Sequence, residues 1–347
     1  MSKLPFIVLF KTLSVALVVA APIGLARAAG SQTIFVSFGA KLPGAAGSGI
    51  QIQNLDPLLE ARISAAFFHM TGGAPISLDR PGVRAGTAAN IYLPGESALA
   101  NGGYAAIVSA DRPLAAIART DWYGGGAAIV GDVVASNHIA LPGVFKRFNL
   151  RDDVANHTPE FFTPRSFQSS IVLIHNTDPR RPAPVTVFLR GPDGGLLAQA
   201  MKSIGPGVSI ALDLRTDPAF TAVPDGSAGT LLIESATVPV AVQHFVNDDG
   251  FPRAVYAHEG VSVDTAAPRL YAPLLRNDFY GTSSIAVFNP GSQAADVAIR
   301  YLPSPLTPAC AGESLHGGHR FTLAAGGSAV FDQGNTGLQP TGDSGLP

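Results

Sequence analysis

Apolar and polar positions alternate along this chain in short runs, and the runs stop at glycine, proline, asparagine or aspartate. Three segments carry the alternation most clearly: Ala61-Arg62-Ile63-Ser64-Ala65-Ala66-Phe67, Ala183-Pro184-Val185-Thr186-Val187-Phe188-Leu189 and Ala295-Asp296-Val297-Ala298-Ile299-Arg300-Tyr301. A period of two, rich in β-branched residues, describes a strand with one face in a core and one in water. Short strands closed by turn residues predict an all-β chain.

The runs also recur in a fixed order. Each alternating segment follows a strand that ends in asparagine: Gly49 to Asn54, Ser170 to Asn176 and Ser284 to Asn289. The asparagines lie 122 and 113 residues apart, about one sandwich domain per interval. A strand-end asparagine can hydrogen-bond its own backbone and close the turn. A turn then follows, matched here as Leu93-Pro94-Gly95-Glu96-Ser97, Gly205-Pro206-Gly207-Val208-Ser209 and Ala325-Gly326-Gly327-Ser328. The first two copies finish with a pair of strands sharing Ser-Ala-x-x-Pro-x-Ala, at Ser109 to Ala115 and Ser235 to Ala241. Proline at a strand start loses least by lacking an N–H. In the third copy the chain stops where this closing pair is due. A shortened chain is one reading; a strand supplied by a partner chain to the open sheet edge is the other.

This order of features resembles tandem immunoglobulin-like repeats of exported bacterial proteins, over about Thr33 to Pro347. The resemblance implies tandem immunoglobulin-like β-sandwich domains at residues 29–136, 137–265 and 266–347, the third incomplete. It also implies an extracellular or surface interaction module and brings no catalytic residues. The Cys…Trp…Cys pattern of antibody domains is absent from the sequence.

Composition changes the picture in one respect, the address. Lys3 and Lys11 precede the apolar run Leu13 to Ala21, and Ala26-Arg27-Ala28 fits a small-x-small cleavage site. Residues 1–28 therefore read as a secretory signal peptide, too short in its apolar part to span a bilayer. Cleavage would remove three bases and no acids, moving the formal charge from −2 to −5. An acidic chain argues against nucleic-acid or anionic-membrane partners. Cys310 is the only cysteine, so no disulfide can form within the chain and each domain must be held by its core.

Motifs with chemical meaning are few. Gly342-Asp343-Ser344-Gly345 resembles part of the nucleophile motif of chymotrypsin-like proteases, but Leu346 replaces the expected glycine and no Ala-Ala-His-Cys segment stands upstream. It reads as a loop. Cys310, His316 and His319 have neither the pairing nor the fourth ligand of a zinc site. Asn247-Asp248-Asp249-Gly250 and Arg190 to Gly195 read as hairpin turns. No cofactor or metal is expected.

Two features stand out as ligand-binding candidates. Between leading strand and asparagine strand the second copy carries 16 more residues than the others, including Asp152, Asp153, His157, Phe161 and Phe162. Long loops on rigid scaffolds often bind, or else cover a domain joint. Trp122 and Tyr123, at a hairpin tip, could stack on sugar or pack on the next repeat. The expectation is an exported, non-catalytic structural or interaction protein of the periplasm, cell surface or medium, binding a protein or polysaccharide. A carbohydrate-binding accessory module of a larger polypeptide is the alternative.

Overall fold

Each apolar-alternating segment forms a strand, and the strands pair antiparallel throughout. The computed structural model describes residues 31–123, 127–130, 133, 135–148, 167–248, 254–270, 284–300 and 318–332. Among them the helical turns are three-residue 3-10 turns, and no helix is long and apolar enough to cross a membrane.

The first strands are β1 (Ser31–Leu42), β2 (Ala46–Asn54), β3 (Ala61–His69), β4 (Ile76–Val83), β5 (Ala88–Tyr92), β6 (Gly102–Trp122) and β7 (Ala127–Val130). The expected closing pair of this copy is one continuous 21-residue strand, β6. Its first half pairs with β1 and β3, and its second half with β2 and β7. The path changes sheets at Asp111-Arg112-Pro113, between the last β3 partner, Ala110, and the first β2 partner, Leu114. The sheet thus doubles over into layers β4-β3-β6-β1 and β5-β2-β6-β7. Both layers fill one core with Ile34, Ile50, Ile52, Ile63, Phe67, Val108 and Leu114. Each such side chain stabilises the fold by roughly 1.5–3 kcal/mol.

The next strands are β8 (His138–Lys146), β9 (Gln168–Asn176), β10 (Ala183–Arg190), β11 (Leu196–Ile204), β12 (Ser209–Asp213), β13 (Ser227–Ser235), β14 (Val240–Asp248), β15 (Ala254–Glu259) and β16 (Val261–Ser262). They form sheets β11-β10-β13-β8-β16 and β12-β9-β14-β15 around a second core. Apart from the short β16, this pairing order matches the first layer for layer, with β13 and β14 in the place of the two halves of β6. The last described strands are β17 (Ser284–Phe288), β18 (Ala295–Arg300), β19 (Gly318–Leu323) and β20 (Ser328–Asp332). Pairs β17–β20 and β18–β19 correspond to β9–β12 and β10–β11, and Phe321 meets Phe331 between them at 4.8 Å. Residues 333–347, where closing strands were expected to be missing, lie outside the described residues.

One sequence match is corrected. The turn of the first copy equivalent to Gly205 to Ser209 is Arg84 to Thr87, not Leu93 to Ser97. Gly86, Gly207 and Gly326 have φ of +67°, +66° and +65°. The residue after each accepts the N–H of Asn54, Asn176 or Asn289 through its carbonyl. Leu93–Gly95 is instead a 3-10 turn after β5, as Pro218–Phe220 is after β12. The Pro-Gly dipeptide misled the match, whereas the left-handed backbone fixes it.

The sandwiches also dock. Phe38 and Trp122 of the first meet Phe245 of β14 edge-on, at 5.7 and 5.6 Å. Leu173 and Met70 join this cluster. The Ser209 hydroxyl donates to the Ser37 carbonyl at 2.8 Å. At the next joint Val330 packs with Phe145 and Val246. There the Ser328 N–H donates to the Pro192 carbonyl at 3.0 Å. In both joints a leading strand contacts equivalent strands further along the chain: β1 touches β9 and β14, and β8 touches β17 and β20, the pair that corresponds to β9–β12.

Candidate functional site

Most recurring polar positions turn out to be internal ties. Asn54, Asn176 and Asn289 are buried at the ends of β2, β9 and β17. Asn176 Nδ2 donates to the carbonyls of Arg181, Ile204 and Gly205. Its Oδ1 accepts the Asp178 N–H. Asn54 binds Leu59, Val83 and Asp56 in the same way. Asn289 does so with Gln293, Leu323, Ala324 and Gly291. Each therefore closes its own turn, as read from the sequence, and also clamps the end of a strand about thirty residues further on.

Two lysines are used similarly. Lys41 Nζ donates to the carbonyls of Glu96 and Leu99. The buried Lys146 donates to those of Phe220, Thr221 and Val223. Each ammonium ties the leading strand to the 3-10 turn, and carbonyl oxygens replace the water it lost.

Serine six residues before each of the first two asparagines also ties strands. Ser48 Oγ accepts the Ala40 N–H at 2.7 Å, and Ser170 Oγ accepts that of Phe145 at 2.8 Å. In the second sandwich this tie is extended. Ser170 Oγ lies 2.7 Å from His244 Nε2, and His244 Nδ1 lies 2.8 Å from His258 Nε2. His258 Nδ1 faces the Glu259 carbonyl at 3.0 Å. Since a carbonyl only accepts, neutral His258 carries its proton on Nδ1. His244 then donates from Nδ1, and the Ser170 hydroxyl donates to His244 Nε2. Burial holds both imidazoles below their ordinary value, so the neutral forms are the resident ones. The order serine, base, orienting group has the form of an activated nucleophile. Ser170, however, is fully buried, and it makes the same backbone tie as Ser48.

The exposed polar surface of note is the outer face of the β5-β2-β6 layer. Its rows are Tyr92–Gly49–Arg119, Asn90–Gln51–Ile117 and Ala88–Gln53–Ala115. Tyr92, Gln51, Gln53, Asn90, Ile117 and Arg119 are all exposed. Tyr123 follows β6 at one end of this face, 55% exposed, and Tyr92 is 56% exposed. A Cβ at Gly47 would stand 2.7 Å from the Tyr123 hydroxyl, so the ring reaches back over bare backbone. The phenol of Tyr123 is held above its ordinary value, first by a hydrogen bond with the Tyr92 side chain. The two tyrosines are thus neighbours.

Of the residues singled out from sequence, Trp122 and Tyr123 separate. Trp122 is half-buried against Phe245 in the joint, so packing on the following sandwich accounts for it. Tyr123 stays at the surface. Asp152, Asp153, His157, Phe161 and Phe162 lie outside the described residues, as do Cys310, His316 and Gly342 to Gly345. Among the described residues no group of three or more His, Cys, Asp or Glu side chains could hold a metal ion. Sequence reading missed Tyr92, Ser170, His244 and His258. Each is one ordinary strand residue whose partner is set by cross-strand register. No protein-family model matches the chain, and no curated protein matches it.

Proposed function

We propose that the chain is an exported, non-catalytic interaction or structural protein. In this reading residues 1–28 are a signal peptide, and residues 29–136, 137–265 and 266–347 are serial copies of one immunoglobulin-like sandwich unit. The observation that carries it is the asparagine clamp, which recurs with the same donors and acceptors at Asn54, Asn176 and Asn289. Recurring polar residues here tie strands together, and the remaining surface meets neighbours or solvent.

Two details bear on the finer fold. Tyr104, near the start of β6, donates its hydroxyl to the Ala100 carbonyl at 2.8 Å, in the manner of the tyrosine corner of immunoglobulin-like domains. The second and fifth strands share one layer and the third and sixth the other, as in those domains. The closing half of β6, by contrast, joins β2 rather than staying with its first half. The likeness is one of architecture with a different last strand.

Production of the full chain in a bacterial host, followed by fractionation and N-terminal sequencing, tests this reading. Mature protein starting at Ala29, outside the cytoplasm, is expected. Full-length chain retained in the cytoplasm would overturn the address. Ester or peptide hydrolysis abolished by Ser170→Ala or Ser344→Ala would overturn the non-catalytic assignment.

A further inference from the structure

The second sandwich shows what a protein-docking face looks like in this molecule. On the outer side of β9 and β14, Leu173, His175 and Phe245 are buried by the first sandwich. Counting back from the clamp asparagines, the first sandwich has Gln51 and Gln53 at the positions of Leu173 and His175. Through the β2–β6 and β9–β14 registers, Arg119 stands where Phe245 is. At these three positions the face has thus exchanged a leucine, a neutral histidine and a phenylalanine for two amides and a guanidinium, while Ile117 stands where Gln243 is, and these side chains are solvent-exposed. A protein partner of the kind docked on the second sandwich does not fit it.

Its charge is also internally cancelled. Arg119 Nη2 lies 2.6 Å from Asp121 Oδ1, and Arg119 Nε donates to both Asp121 oxygens. The remaining groups are the amides of Gln51, Gln53 and Asn90, the flat apolar Ile117 and the two exposed tyrosines. Gly49 leaves the strand beside Tyr92 half-exposed and without a side chain, so a ligand can approach the sheet there, while Gly47 is covered by Tyr123 and Pro94. Neutral amides offer paired donors and acceptors to hydroxyls, and aromatic rings offer an apolar face to sugar C–H groups. From Gly49 to Gln53 the open strand is ~13 Å long at the rise of a strand, and the Tyr123 ring extends the face at one end, which suits a chain ligand rather than a single sugar.

We propose that this face, with Tyr92 and Tyr123 together at one end, binds a neutral polysaccharide chain. The inference rests on the interaction reading above and names the partner of its first unit. Affinity gel electrophoresis of the full chain tests it, with gels containing β-glucan, xyloglucan or amylose, and alginate as the anionic control. Retardation in at least one neutral gel is expected, with none in alginate. Tyr92→Ala and Tyr123→Ala should each weaken retardation several-fold while leaving the thermal transition in place, since each removes an apolar ring face from the ligand. The Gln51→Ala/Gln53→Ala double variant, which leaves every ring in place, should weaken it too. Unretarded migration in all three neutral gels overturns the proposal. So does unchanged retardation of the tyrosine and glutamine variants, or retardation by alginate alone. Export to Ala29 without retardation would remove the polysaccharide and leave the interaction reading standing, whereas cytoplasmic retention would strike the reading itself.

Discussion

At the scale of single residues, the recurring buried asparagines and the two lysines serve as ties between elements. Asn176→Ala would take the amide donor from the buried Ile204 carbonyl, at roughly 1–3 kcal/mol if it is left unsatisfied, and from the half-buried carbonyls of Arg181 and Gly205, of which Gly205 keeps the Val208 N–H. Asn176→Asp should be worse than alanine, because it keeps the outline and sets a carboxylate against the same carbonyls. Urea denaturation of both variants checks the order. The histidines give a pH dependence. Burial lowers His175 from 6.5 to about 3, and the Gly207 backbone offsets a part. His244 and His258 move the same way. The unfolded chain therefore takes up protons that the folded chain refuses. Stability is full above about pH 6.5 and declines in acid, by up to about 1.4 kcal/mol per pH unit for each histidine. Calorimetry should show the thermal midpoint falling from about pH 7 to about pH 5, less steeply in His175→Phe; a flat profile would contradict the buried neutral state. The recurrence of the asparagines was legible in the sequence, and so was closure of their turns. Their reach to Val83, Ile204 and Leu323 was not, because only the folded sheet brings those carbonyls near. In Val240-Ala241-Val242-Gln243-His244-Phe245 the histidine likewise reads as one more core position until β14 is set beside β15.

At the scale of elements, strand limits followed from alternation, while strand matching depended on backbone conformation. β2, β9 and β17 end at or next to the asparagines that mark them in the sequence. The turn before β5 was mismatched, since Ala85-Gly86-Thr87 lacks the proline that marks its counterpart. Glycine at positive φ carries the equivalence, and it has unequal surroundings in the two copies. A Cβ on Gly86 meets no atom within 4 Å, whereas one on Gly207 would overlap the Phe68 ring of the first sandwich. Gly86→Ala should therefore lose only the left-handed strain of about 1–2 kcal/mol. Gly207→Ala should lose that and also loosen the joint. Thermal unfolding of the two variants, with tryptophan fluorescence reporting on Trp122 at the joint, separates the effects. Equal losses without a change in emission would show that Phe68 does not press on this turn. Tyr92 escaped notice for a related reason: Asn90-Ile91-Tyr92 is an ordinary alternating strand end. Only the register of β5 on β2, and of β2 on β6, puts it near Tyr123.

At the scale of the whole molecule, the joint between the first two sandwiches is an aromatic wedge with a buried histidine beside it. Phe245 holds two of its rings, Phe38 and Trp122. Replacing it with aspartate would put a charge in a dry seam and should split one calorimetric transition into two. A single undivided transition in Phe245→Asp would mean that the sandwiches unfold together without this seam. The joints share a direction as well: β1 seats on β9 and β14, and β8 on β17 and β20, each further along the chain. Such a contact joins unlike surfaces, so the row of sandwiches is polar, with two ends that can never substitute for one another. Duplication of a unit such as the second, which carries both halves of the contact, copies both at once. Length then becomes a property that selection can adjust by copying, without any new surface having to be invented.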